Sequence, residues 1–99
     1  MEFLKKLYLG ESIARKKSRI IRGLNSGKLM PGIYVICLSA SDQDLLDLIP
    51  SFMLFRESVK KRKVVGLAAS KQEAYQVCQK IVEDVYDKTG TYDIRSFLA

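Results

Sequence analysis

The side chains that point most clearly to a chemistry are basic and lie in the first third of the chain. Between positions 15 and 28 the basic residues are Arg15, Lys16, Lys17, Arg19, Arg22 and Lys28. No aspartate or glutamate occurs between Ser12 and Ser41. Because unpaired positive charge on one surface needs either water or an acidic partner, this tract makes contact with a nucleic-acid backbone a candidate function. The residues expected to make that contact are Arg15, Lys16, Arg19, Arg22 and Lys28.

The composition of this tract limits what such contact would recognise. It contains no aromatic residue on which a base would stack, and no helix-turn-helix, RRM, KH or zinc-finger pattern is present. Binding would therefore be independent of nucleotide sequence. A basic face that only keeps the protein in solution is the simpler interpretation, and it stays open. A second basic run, at 60–63, precedes an apolar segment and is typical of residues that oppose aggregation.

Residues suited to catalysis are few. The chain has no histidine, which removes the commonest general base and excludes Ser-His, Cys-His and His-ligated metal sites. Cys37 and Cys78 lie in apolar patterns without a CxxC motif, which favours buried free thiols. Asp42, Asp44 and Asp47 cluster where a helix is expected to begin, and there they suit the helix dipole. We therefore expect no enzyme, no catalytic residue, no metal and no cofactor.

Two strand-to-helix loops, at 39–42 and 66–71, occupy places where parallel sheets often bind ligands. The second loop contains Gly66 and ends in Ser70 and Lys71. It lacks the paired glycines and the Gly-Lys-Ser/Thr ending of a P-loop. Capping of the helices that follow explains the serines, so a small anion or a nucleotide is the least favoured ligand.

The last helix has the clearest local pattern. Ser70 and Glu73 fit a capping box, in which the serine hydroxyl accepts from the Glu73 amide and the glutamate accepts from the Ser70 amide. Apolar residues follow at helical spacing, at Ala74, Val77, Cys78, Ile81, Val82 and Val85. Gly90 is placed to end the helix in the left-handed conformation.

Two apolar runs, 33–38 and 64–68, are typical of strands that are covered on both faces. The segment 41–56 between them carries apolar residues near one helical face and predicts a helix, which Pro50 would break or kink. Its Phe52, Met53 and Phe55 are candidates for a protein interface, and the alternative is that all three belong to the core.

Two elements are expected before the first apolar run. Residues 11–25 predict a helix with Arg15, Arg19 and Arg22 on one side, and with Lys17 intruding on the apolar side. Residues 6–10 alternate and suit a strand, although a helix that begins at Phe3 competes with it.

The element order therefore indicates one α/β domain over residues 1–99, with the order β-α-β-α-β-α. We expect two or three layers and a short, mainly parallel sheet. A sheet with few strands leaves an unpaired edge, and pairing with a second copy is one way to cover that edge. The composition, with 47% apolar and 28% charged residues, is that of a folded chain. No apolar run is long enough to cross a bilayer and no signal peptide is recognisable, so we expect a cytoplasmic protein.

Several stretches spread along the chain have a combined pattern. They are 7–12 (LYLGES), 33–36 (IYVI), 42–45 (DQDL), 64–68 (VVGLA), 73–74 (EA), 85–90 (VYDKTG) and 93–94 (DI). Together they resemble a family of short uncharacterised bacterial proteins with no assigned activity. The resemblance implies a complete, free-standing single-domain protein, and it transfers no functional residue.

The sequence thus predicts a basic protein, with a formal net charge of +6, that acts without catalysis as an interaction or assembly module. Its expected partner is itself, as a homodimer, or another protein. The alternative is sequence-independent nucleic-acid binding through residues 15–28.

Overall fold

A four-stranded mixed sheet forms the centre of the protein. The computed structural model describes residues 2–27, 30–38, 46–53, 62–91 and 93–98. The strands are β1 (Glu2–Leu9), β2 (Tyr34–Leu38), β3 (Leu46–Pro50) and β4 (Lys63–Ala68), and they lie side by side in the order β1-β4-β2-β3. Strands β1 and β4 are parallel, whereas β2 is antiparallel to both β3 and β4.

Helices cover both faces of this sheet. A 3₁₀ helix (Glu11–Lys16) continues into α1 (Lys17–Asn25), and its apolar side packs on one face. Helix α2 (Lys71–Thr89) and the short α3 (Ile94–Leu98) pack on the other. The first core contains Ile13, Ile20, Leu24, Val35, Cys37, Ile49, Val64 and Leu67. The second contains Ile36, Leu38, Val65, Ala68, Ala74, Val77, Ile81, Val85, Ile94 and Leu98. The predicted α/β class is therefore confirmed, in a three-layer form.

The bounds predicted for the last helix are confirmed. The Ser70 hydroxyl accepts a hydrogen bond from the Glu73 amide at 3.0 Å, which satisfies one of the unpaired donors at the start of α2. Gly90 adopts a φ of 73°, and its amide donates to the Tyr86 carbonyl at 2.8 Å. Only glycine adopts that left-handed conformation without strain, so the helix ends there.

The prediction of a mainly parallel sheet is wrong. It took 33–38 and 64–68 as parallel strands with a helix between them along the chain, but β2 and β4 run antiparallel. The chain instead turns back after β2 and forms β3, which pairs with β2 from Tyr34↔Pro50 to Leu38↔Leu46. Strand β4 then lies on the opposite side of β2. The only parallel pair in the described sheet is β1 with β4.

The prediction of a helix over 41–56 is wrong for its described part, which forms β3 and a 3₁₀ turn at Ser51–Met53. A short apolar run suits a strand with two covered faces as well as one helical face. Pro50 favours the strand, because a proline at the end of an edge strand removes no ladder hydrogen bond. Asp47 consequently lies in a strand and not at a helix start. Asp42, Asp44 and the predicted loop 39–42 lie outside the described residues.

The open question about the first residues is settled in favour of a strand. Phe3 pairs with Val64 and Tyr8 pairs with Gly66, so β1 advances 8 − 3 = 5 positions while β4 advances 66 − 64 = 2. The three extra residues form a bulge that carries the exposed Lys5 and Lys6. Bulges and edge lysines both oppose pairing with another chain, so this edge of the sheet is guarded.

Among the described helices none combines the length and the apolar character needed to span a bilayer.

Candidate interaction surfaces

Four of the five basic residues of the first helical segment face water. The exposed ones are Arg15, Lys16, Arg19 and Arg22, and we call this set the basic face. None of the four is ion-paired or hydrogen-bonded to another described residue. Ile13, Ile20 and Leu24 on the opposite side are buried, and Lys17 is half-buried, as expected of a lysine whose stem lies along apolar neighbours. Lys28 lies outside the described residues.

The basic face carries positive charge, but its segment has no aromatic side chain on which a nucleic-acid base could stack. No aromatic residue occurs between Tyr8 and Tyr34, and no acid lies between Ser12 and Ser41. Guanidinium and ammonium groups bind phosphate oxygens, whereas single-stranded bases are held mainly by stacking on aromatic rings. The chemistry available here is therefore contact with a polyanionic backbone.

In the strand-to-helix loop at 66–71, a backbone amide donates to the carboxylate of Glu73. Glu73 Oε1 accepts from the Ala69 amide at 2.9 Å, and Oε2 accepts from the Ser12 hydroxyl at 2.8 Å and from the Ser12 amide at 3.4 Å. The predicted return bond from Glu73 to the Ser70 amide is replaced by these contacts. The carboxylate thus joins the start of the 3₁₀ helix, which follows β1, to the start of α2, which follows β4.

Glycine is required at position 10 for this junction to form. The Gly10 amide donates to the Leu67 carbonyl at 3.0 Å, which places its α-carbon directly against the Glu73 side chain. A β-carbon at this position would overlap the Glu73 carboxylate. Sequence reasoning missed this role, because the two residues are far apart along the chain.

This junction does not favour an anion site at the loop. A bound phosphate needs free amide donors at the helix start, and Glu73 already accepts from Ala69 and Ser12. The cleft beside it, of about 390 Å³, is lined by the Glu11 and Glu73 carboxylates and by Lys80, whose ammonium group is paired with Asp84. The two carboxylates oppose an anionic ligand there.

Tyr8, which lines this cleft, and its hydrogen-bond partner Asp84 have pKa values shifted further from neutral pH. The Tyr8 hydroxyl donates to Asp84 Oδ2 at 3.0 Å, and Lys80 Nζ lies 3.3 Å from Asp84 Oδ1. Burial and the neighbouring Asp84 raise the pKa of Tyr8 to about 12. The hydrogen bond from Tyr8 and the charge of Lys80 lower the pKa of Asp84. Neither group is therefore poised for proton transfer near pH 7.

The two cysteines are free, and both thiols are held in their neutral form. Burial raises the pKa of Cys37 to about 12, although the nearby Arg62 acts in the opposite direction. Burial also raises the pKa of the half-buried Cys78.

Arg62 forms an ion pair with Asp47, which links the start of β4 to β3 across the intervening strand. Among the described side chains, no group of three or more potential ligands could hold a metal.

The most exposed large apolar side chain in the described part of the chain is Phe52, at 65%. It lies in the 3₁₀ turn Ser51–Met53 that follows β3, at an edge of the described sheet. Met53 beside it is half-buried and packs against the core under α1, so these two candidate interface residues face different surroundings. Phe55 lies outside the described residues.

A preformed apolar cleft of about 280 Å³ lies beside Phe52. Residues 30–33 form a tight turn in which the Ile33 amide donates to the Met30 carbonyl at 3.2 Å and Gly32 has a φ of 82°. Ser51 fixes this turn, because its amide donates to the Ile33 carbonyl at 2.9 Å and its hydroxyl to the Met30 carbonyl at 2.6 Å. We call the lining residues the Phe52 patch: Met30, Pro31, Gly32, Ile33, Tyr34, Pro50, Ser51 and Phe52.

The turn in this patch can be recognised from the sequence, but its position beside Phe52 cannot. Proline followed by glycine, at Pro31 and Gly32, is typical of the two central positions of a type II turn. What places that turn beside Phe52 is the pairing of Tyr34 with Pro50, which the sequence analysis did not predict.

Neither a protein-family model, nor a curated protein, nor a solved structure matches this chain. The function is therefore inferred from two surfaces, the basic face and the Phe52 patch.

Replacing Gly10 with alanine tests the junction at Glu73. We expect Gly10→Ala to destabilise the fold by about 1–3 kcal/mol, because the new methyl group displaces the Glu73 carboxylate. On a Glu73→Ala background the same change should add little, since the obstacle is gone and the φ of −62° at position 10 suits alanine. Urea unfolding of the four chains measures the coupling. Additive effects would contradict this account of Gly10.

The hydrogen bonds to Glu73 also predict a pH dependence of stability. Burial alone would raise the pKa of Glu73, but the donors from Ala69 and Ser12 outweigh it and lower that pKa. A lowered folded-state pKa stabilises the fold above the ordinary glutamate value of ~4.3, and this stability is lost as pH falls through the folded value. The stability difference between the native chain and Glu73→Gln should therefore be full at pH 7 and shrink below about pH 4. Urea unfolding across this pH range measures it, and a constant difference would refute the assignment.

Proposed function

We propose that this protein is a small, non-catalytic, cytoplasmic interaction module that binds a protein partner through the Phe52 patch. The observation that carries the proposal is the 65% exposure of Phe52 beside an apolar cleft that hydrogen bonds hold open. Its two free cysteines are compatible with a reducing compartment.

The energetics of association support this use of the patch. Aromatic anchors dominate the binding energy of many protein interfaces, and a large ring left in water is a source of such energy. Ser51 already fixes the turn that forms the cleft wall. Binding therefore orders little backbone, and more of the contact energy remains as affinity.

The titratable groups support a non-catalytic role. Tyr8 and Cys37 both have pKa values raised to about 12, and Asp84 is held in its charged form by Tyr8 and Lys80. Histidine is absent from the whole chain. None of these described groups supplies an acid or a base that changes its charge near pH 7.

Site-specific photo-crosslinking in the native cells tests the interaction. A benzophenone amino acid replaces Phe52, and in a matched control it replaces Tyr75, which is 57% exposed on α2 and lies outside the patch. We expect a discrete protein adduct from position 52 and none from position 75, because Phe52 lines a described apolar cleft and Tyr75 lines none of the described clefts. Mass spectrometry identifies the adduct.

Either of two results from this experiment would reject the proposal. One is the absence of any protein adduct at position 52 while the variant is folded and expressed. The other is the same adduct pattern at positions 52 and 75, which would mean that exposure alone, and not the patch, determines the reaction.

A second candidate function is sequence-independent binding of nucleic acid by the basic face. It is favoured by four exposed basic side chains that have no acidic partner among the described residues. Arg15, Arg19 and Arg22 lie on the solvent side of one helical segment, where they would follow a phosphate backbone.

Fluorescence anisotropy with a random duplex and a random single strand tests this function. Contact with about four to six phosphates predicts that affinity falls roughly a hundredfold between about 50 and 200 mM salt. Arg15→Glu/Arg19→Glu/Arg22→Glu should abolish binding. The charge-matched control, Lys5→Glu/Lys6→Glu/Lys71→Glu, changes three exposed lysines on other elements and should retain most of it.

The two triple variants distinguish binding by the basic face from attraction by the net charge of the protein. Equal losses in the two triple variants would show that net charge alone attracts the nucleic acid. No binding at the lower salt would make the basic face a solvated surface, and only the protein-binding proposal would then remain.

A further inference from the structure

We infer that the partner of the Phe52 patch is a second copy of this chain, bound about a two-fold axis so that each Phe52 enters the cleft of the other copy. This inference rests on the proposed interaction function and specifies its partner. The observation that supports it is that the Phe52 ring and the apolar cleft lie side by side, in a patch whose described lining residues carry no charge.

The first argument is shape. A two-fold contact buries the same patch on both copies, so the patch must contain both a projecting group and a recess that receives it. Phe52 projects, with 65% of its surface exposed, and the cleft beside it measures about 280 Å³. A cavity of roughly 150 Å³ already accommodates benzene, so this cleft has room for a phenyl ring.

The second argument is charge. Two copies each carry a formal net charge of +6 and repel one another wherever their basic surfaces meet. The described residues that line the Phe52 patch carry no charge, so the lining itself adds no like-charge repulsion when two copies meet there. Contact through such a patch is also insensitive to salt, which distinguishes it from contact through the basic face.

The third argument is the difference between the two edges of the described sheet. At the β1 edge, the bulge and the exposed Lys5 and Lys6 oppose pairing with another chain. At the β3 edge, the strand leads directly into Phe52. The only charged residue of β3, Asp47, is already paired with Arg62 within the chain.

Analytical ultracentrifugation of the purified chain tests the inference, over about 1 µM to 1 mM protein, the range in which a small interface associates. We expect a monomer–dimer equilibrium whose dissociation constant does not rise between about 50 and 500 mM salt, because apolar contact is not screened and the repulsion between two copies of charge +6 only weakens. Phe52→Ser should raise that constant by roughly thirtyfold or more, as expected for loss of an interface anchor.

Two further variants make the result specific. Pro31→Glu places a charge on an exposed residue at the cleft and should weaken the dimer as strongly as Phe52→Ser. Tyr75→Ser removes an exposed aromatic side chain outside the patch and should leave the dissociation constant unchanged. Thermal unfolding of each variant verifies that it is folded, which the exposure of all three side chains favours.

The outcomes distinguish failure of this inference from failure of the proposed function. The inference that the partner is a second copy is wrong if the protein is a monomer at all concentrations. It is also wrong if neither Phe52→Ser nor Pro31→Glu changes the dissociation constant of the dimer. If the crosslinker at position 52 then captures a different protein, the interaction function stands with another partner. If it captures nothing, both proposals fall.

Discussion

The Glu73 carboxylate accepts hydrogen bonds from Ser12 and Ala69, which lie in the two segments that follow the paired parallel strands β1 and β4. Each strand passes into a helix there, and backbone amides at a helix start need acceptors. The Glu73 side chain accepts from an amide in the first turn of the 3₁₀ helix and from the amide that precedes the N-cap of α2, and Gly10 is the residue that lets it approach. The position of the basic segment relative to α2 therefore depends on this contact.

The two proposed surfaces differ in the physical force that each would use. The basic face relies on charge, which acts over about 8–10 Å and weakens as salt is added. The Phe52 patch relies on removing apolar surface from water, which acts only on contact and resists salt. The half-buried Tyr8 and the buried Cys37 have pKa values raised to about 12 and are uncharged near pH 7, so neither adds to the charge of the basic face.

Agreement between sequence and structure was best where the signals were local. The bounds of α2 follow from Ser70 and Gly90, which act within one helical turn, and both were predicted. The exposed side of the first helical segment follows from the spacing of its arginines, which was also predicted. The segment 41–56 failed because its apolar spacing fits a strand as well as a helix.

The sequence by itself determined the α/β class, the ends of α2, the side of the first helical segment that carries charge, and the absence of histidine chemistry. Only the tertiary structure decided the direction of β2, the partners of Glu73 and the meeting of the turn at 30–33 with Phe52. The physical reason is separation along the chain. Ser12 and Glu73 lie 61 positions apart, and the free energy that selects such a contact comes from packing the whole sheet.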